Sequence, residues 1–213
     1  MDSLPAIFFT SFVVALSGAL MPGPVLTLTV AEAAKGGWLA GPKIILGHGA
    51  LELGLLVLLA LGLGGFLASG PALKVFCLAG GVTLSAMGIL TMTGKGGKSL
   101  ELADGRGGGR GVFGSAGAGA LTSVSNPYWV LWWATVGMGY LALAGRLGPA
   151  GIGSFFGGHI LADLAWYTMV SALVASGRRA IGGRSYSLLL SVCGASLVLF
   201  GAWFVYKAFT AQA

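Results

Sequence analysis

The chain reads as an all-α membrane protein: six transmembrane helices built as two inverted three-helix repeats, with the first and fourth helices broken. Three observations carry that expectation. The 213 residues are 56% hydrophobic and only 8% charged, with a mean hydropathy of +0.90, whereas a soluble domain carries about 25% charged residues. Six apolar segments approach or exceed the roughly 20 residues needed to cross the hydrocarbon core. The first three segments and the last three also repeat the same landmarks in the same order.

The segments run over about 4–31, 38–68, 72–93, 112–143, 150–176 and 187–209. Several are longer than a simple span requires, so tilts and breaks are expected. The opening residues MDSLP contain no basic stretch, so the first apolar run is expected to be retained as a helix rather than cleaved. One glycine-rich polar stretch, GKGGKSLELADGRGGGRG, reads as a flexible linker over 94–111. It divides the chain into a first repeat, 1–93, and a second, 112–213.

The halves echo each other at three places. GALMPGP (Gly18 to Pro24) in segment one is matched by GALTSVSNP (Gly119 to Pro127) in segment four. Segments two and five each hold a histidine followed four residues later by an acid. Gly81 and Gly88 in segment three have the spacing of Gly194 and Gly201 in segment six. With three helices per repeat, the second half must be inverted, and binding sites in such architectures lie at midplane where the halves meet.

Loop charge sets the orientation. Lys35, Lys43, Lys95, Lys98, Arg106, Arg110, Arg178, Arg179 and Arg184 fall on one side; Lys74, Arg146 and Lys207 fall on the other. The positive-inside rule puts the richer side in the cytoplasm and both termini outside. The net charge of +6 is thereby explained by topology, without nucleic acid as a partner. Lipid is the expected surroundings. Glycine-rich faces would serve helix packing or a homodimer. Cys77 and Cys193 lie in apolar helices, with no metal-type spacing.

The chemistry sits in two pairs. His48 precedes Glu52, and His159 precedes Asp163, so each pair shares one helix face. Ionisable groups at membrane depth are costly and mark a transport path or proton relay. Pro22, Gly23 and Pro24 should break the first helix, because proline removes a backbone donor and clashes with the preceding turn. Ser123, Ser125, Asn126 and Pro127 take the corresponding place in the fourth. Freed backbone groups at that depth are tolerated only where they are buried or line a wet cavity. Trp166 and Tyr167, within a turn of Asp163, are expected to line that cavity. Trp129, Trp132 and Trp133 read as packing or an interfacial belt.

Two histidines and two carboxylates also make a sound ligand set for zinc or a similar divalent cation. That leaves a divalent metal cation transporter, with His48, Glu52, His159 and Asp163 as ligands, beside the proton reading. There is no phosphate-binding loop of the GxxxxGK[ST] kind, so ATP drive is not expected. No nucleophile–base set points to an enzyme.

The stretch MPGPVLTLTVAEAAKGGWLAGPKIILGHG, the SNP with trailing aromatics, and the later glycine pattern resemble the LysE/RhtB family of amino-acid exporters over nearly the whole chain. Val25 is a departure, since many members carry a polar residue after PGP. The resemblance implies secondary-active efflux of an amino acid or related small metabolite across the prokaryotic inner membrane, with the proton gradient as driving force and no cofactor. On that reading the two His/acid pairs, the PGP and SNP breaks, Trp166 and Tyr167 handle substrate and proton.

Overall fold

The structure is a computed structural model that describes residues 3–63, 70–93, 111–177 and 183–210. All the regular structure among them is helical. In chain order the helices are α1 (Leu4–Ala19), α2 (Pro24–Gly36), α3 (Ala40–Leu58), α4 (Gly70–Met92), α5 (Val112–Val124), α6 (Pro127–Trp132), α7 (Met138–Gly145), α8 (Gly148–Gly177) and α9 (Gly183–Thr210). The linker expected over 94–111 lies, apart from Gly111, outside the described residues. So do four of the basic residues that set the orientation within it, together with Arg178 and Arg179.

Local chemistry starts and stops these helices. The Ser3 side chain caps α1 by accepting from the Ala6 N–H, which satisfies one of the orphan donors of the first turn. The expected first break is present: α1 ends at Ala19, Gly23 is extended, and Pro24 opens α2. A proline suits the first helical turn because its missing N–H would have been unpaired there anyway. The two helices are bent by 79° at the break. The second break has the same design. α5 ends at Val124 and α6 begins at Pro127, with the Asn126 side chain accepting from the Tyr128 N–H at 3.1 Å.

Two wide π-type turns interrupt the remaining helices, at Leu59–Leu63 and Trp133–Gly137. Gly62 takes φ +98°, a backbone conformation that a side chain would strain. It ends the helix that α3 began.

The segmentation differs from six simple spans. Among the described residues, Ala40–Gly62 and Gly148–Gly177 are each long and apolar enough to cross a membrane, and the bent pair α1–α2 adds a third. Val112–Val124 and the stretches Cys77–Met92 and Gly194–Thr210 are shorter apolar helices. The segment expected over 112–143 has the expected break at its middle and one unexpected feature beyond it. Asn126 and Pro127 restart the helix and the turn at Trp133–Gly137 widens it, so one long apolar run becomes several short pieces.

Packing depends on glycine. α4 and α9 run antiparallel, with Gly81 against the Gly201 carbonyl and Gly88 against the Gly194 carbonyl. The sevenfold spacing in each helix is therefore one shared contact surface. α1 lies along α8 in the same direction: the Ser154 hydroxyl donates to Leu4 O at 2.7 Å and the Ser11 hydroxyl to Phe155 O at 3.0 Å. α3 crosses α5 so closely that a Cβ on Gly47 would lie 1.7 Å from Ala116 O. These three pairings, α4 with α9, α1 with α8 and α3 with α5, are the most extensive among the described residues. They leave the two breaks facing each other across a cavity.

Candidate functional site

The two His/acid pairs form one cluster. His48 and Glu52 on α3 meet His159 and Asp163 on α8, and none of the four is more than 7% exposed. Within each helix, His48 Nε2 lies 3.2 Å from Glu52 Oε1 and His159 Nε2 lies 3.5 Å from Asp163 Oδ2. Across the helices the approach is as close: His159 Nε2 is 3.0 Å from Glu52 Oε2, and His48 Nε2 is 3.4 Å from Asp163 Oδ2. Each imidazole thus faces both carboxylates.

The polar partners around the cluster are unevenly shared. Glu52 Oε1 accepts the indole N–H of Trp129 and of Trp133, each at 2.9 Å. Indole is only ever a donor, so this oxygen is held as a bare acceptor. Hydrogen bonds to a charged acceptor of this kind contribute about 1.5–3 kcal/mol. His48 Nδ1 is 2.6 Å from Ser123 Oγ, whose hydroxyl also lies 2.8 Å from Gly119 O. Asp163 Oδ2 lies 3.4 Å from His48 Nε2 and 3.5 Å from His159 Nε2 and has no hydrogen-bond partner among the described residues, which is also true of His159 Nδ1.

Aromatic rings close the cluster from the apolar side. The His159 ring lies 4.8 Å from Trp132, 5.4 Å from Trp133 and 6.1 Å from Phe155, centroid to centroid. Gly137 makes room for Trp133: a Cβ there would come within 2.6 Å of its ring. The π-type turn at Trp133–Gly137 is the local device that fits this indole against Glu52, and such turns recur at functional sites.

The cavity beside the cluster is lined by His48, Glu52, His159 and Asp163, by the first break (Pro22, Gly23 and Pro24), by Asn126 of the second break, and by Tyr167. Two expected residues lie elsewhere. The Ser125 hydroxyl turns back to Leu121 O at 2.8 Å, and Ser123 takes the place beside His48. Trp166 packs with the core around Val25, Leu28 and Ile44 rather than on the cavity. Pro127 opens α6. Tyr167 reaches across to α1, where its hydroxyl donates to Ala19 O at 3.4 Å.

Trp129 and Trp133, expected to be packing or a belt, are instead direct partners of Glu52. One signal for this was present in the sequence. They are four apart, like His48 and Glu52, and follow directly on the second break, so one helix face carries two donors towards the site.

Asn126 serves two purposes, as cap and as cavity wall, and substitution separates them. Asn126→Ala should cost about 1 kcal/mol by loss of the cap. Asn126→Asp keeps an acceptor for the Tyr128 N–H and should hold its thermal midpoint. Equal midpoints for the Ala variant and the wild type would show that the cap contributes nothing.

No curated protein and no solved structure gives a significant match to the chain. The family model described as LysE type translocator matches residues 16–208. That range takes in both helix breaks and all four residues of the buried cluster. The chain belongs to the LysE type translocator family of membrane transport proteins.

Proposed function

We propose that this translocator exports an amino acid or a related small metabolite from the prokaryotic cytoplasm, as a secondary-active carrier driven by the proton gradient. The observation that supports it most is the position of the cluster: four buried ionisable side chains wall a cavity to which both helix breaks contribute. Broken helices offer unpaired backbone groups at helix ends, and ionisable groups beside them can hold a charged solute or a coupling proton.

In this reading Asp163 receives the substrate amine or the proton, because its Oδ2 accepts no hydrogen bond among the described residues. Glu52 is the fixed counter-charge. His48 and His159 orient the two acids. The architecture proposed is two inverted halves joined by the linker over 94–111, opening alternately to each side. The helix pairings support it: α1 packs on α8 as α5 packs on α3, which is the exchange expected of equivalent helices in two inverted halves, while α4 and α9 pack on each other. The loop charges favour a cytoplasmic-membrane protein with both termini outside.

The test is efflux from proteoliposomes loaded with a panel of labelled amino acids, with and without an imposed pH gradient. Release of one amino acid class, accelerated by the gradient and lost in Asp163→Asn, is the expected result. A well-folded protein that releases none of the panel would sink the amino-acid reading. Release indifferent to the gradient would remove the proton coupling alone. A second reading, transport of a divalent cation, draws on one observation, the convergence of four ligand-type atoms within 4.8 Å of one another.

A further inference from the structure

The geometry points to a four-ligand site for a borderline divalent cation of the zinc class, made by His48 Nε2, His159 Nε2, Asp163 Oδ2 and a carboxylate oxygen of Glu52. This is a statement about binding. It stands whether or not the chain exports amino acids.

Distances carry the argument first. An ion with four tetrahedral ligands at about 2.0–2.1 Å sets neighbouring ligand atoms about 3.3–3.4 Å apart. His159 Nε2 is 3.0 Å from Glu52 Oε2 and 3.5 Å from Asp163 Oδ2, and His48 Nε2 is 3.4 Å from the same Asp163 oxygen. One ligand atom from each of the four residues lies within 4.8 Å of the others, close enough for side-chain movement to bring the set onto one ion.

Burial carries it next. Asp163 Oδ2 lies 3.4 Å from His48 Nε2 and 3.5 Å from His159 Nε2, with no hydrogen-bond partner among the described residues, although Asp163 is only 4% exposed. A buried carboxylate oxygen without a donor is costly. A cation between it and the two nitrogens would satisfy it.

The surroundings fit as well. Ligating imidazoles commonly donate their other ring N–H to a neighbouring oxygen, and ligating carboxylates are themselves hydrogen-bonded. His48 Nδ1 has Ser123 Oγ at 2.6 Å, and Glu52 has the two indole donors. Trp132, Trp133 and Phe155 set aromatic rings around His159. Two imidazoles exclude calcium and magnesium as preferred ions, since those take oxygen ligands in larger number. Zinc accepts this nitrogen and oxygen mixture.

The test uses the full chain in detergent, freed of any histidine tag and stripped with a chelator. After equilibration with zinc(II) and desalting, about one ion per chain is expected. Cobalt(II) in place of zinc should give the intense visible absorption of a tetrahedral centre. That signal should be bleached by zinc and indifferent to excess calcium or magnesium. The double variant His48→Gln, Asp163→Asn should lose both the stoichiometric ion and the spectrum. Far less than one zinc per chain, a weak octahedral cobalt spectrum, or displacement by calcium would overturn the proposal. So would a folded double variant that binds like the wild type. If the double variant does not fold, the wild-type cobalt spectrum and its bleaching by zinc still decide the matter.

Discussion

Replacing Glu52 with alanine is expected to give the largest loss at any single side chain. Glu52 is 1% exposed and is the shared partner of both histidines and both indoles. The alanine variant leaves the buried Trp133 indole N–H and the partly buried Trp129 indole N–H without acceptors, at about 1–3 kcal/mol for a fully buried donor. It also removes the counter-charge from two buried imidazoles, and breaking a buried pair in this way costs about 3–5 kcal/mol. These costs overlap, because the groups belong to one network and do not add. Glu52→Gln separates stability from function. The amide oxygen can still accept the indoles, so much of the stability should remain, but the negative charge is gone and transport should fall to background. Thermal unfolding in detergent and efflux from liposomes measure the two effects independently. An alanine variant that unfolds at the wild-type midpoint would show that the cluster does not hold α3, α8 and the Trp129–Trp133 stretch together. A glutamine variant that transports at the wild-type rate would remove Glu52 from the mechanism.

The second large effect is expected at Gly47. A Cβ there would sit 1.7 Å from Ala116 O and 2.4 Å from the Ala116 carbonyl carbon. The obstacle is the backbone of α5, which cannot rotate away as a side chain can. Overpacking of a core ordinarily costs about 1–3 kcal/mol and sometimes more. Here relief requires α3 and α5 to move apart, which would also separate His48 from Ser123, now 2.6 Å away. Gly47→Ala should therefore abolish transport and yield little monodisperse protein. Gly117→Ala is the matched control, since nothing lies within 4 Å of a Cβ at that position, and it should behave as wild type. Comparing the two by size-exclusion profile and efflux rate isolates close approach from glycine content. A monodisperse, active Gly47→Ala protein would mean that the helices do not approach this closely.

The sequence made the ingredients of the site legible because each is a local signal. Prolines at 22 and 24 break a helix wherever they stand in one, and Asn126 before Pro127 is both a cap and a restart. His48 with Glu52, and His159 with Asp163, share a helix face by spacing alone. The paired glycines of α4 and α9 likewise announce two faces smooth enough for close packing.

Other features depended on which side of a helix faces inward. Ser123 and Ser125 are two apart, so they point to opposite sides of α5 and its cap. The sequence cannot choose between them; the crossing of α3 over α5 at Gly47 and Gly119 selects Ser123. Trp166 and Tyr167 are adjacent and diverge by about 100° on a helix with 3.6 residues per turn, which is why one packs into the core and the other lines the cavity. The roles of Trp129 and Trp133 rest on a contact with Glu52, 77 and 81 residues away in sequence.

By itself the sequence determined that this chain is helical and apolar, where its helices break, and that two helices each carry an imidazole beside a carboxylate. Only the tertiary structure decided that the two pairs form one cluster, that Glu52 takes both indole donors while Asp163 Oδ2 accepts no hydrogen bond among the described residues, and that the cluster borders the cavity at the breaks. Helix periodicity fixes which residues share a face. Which faces meet is fixed by packing between helices distant in the chain, and here that packing turns on a few glycines where backbones come into contact.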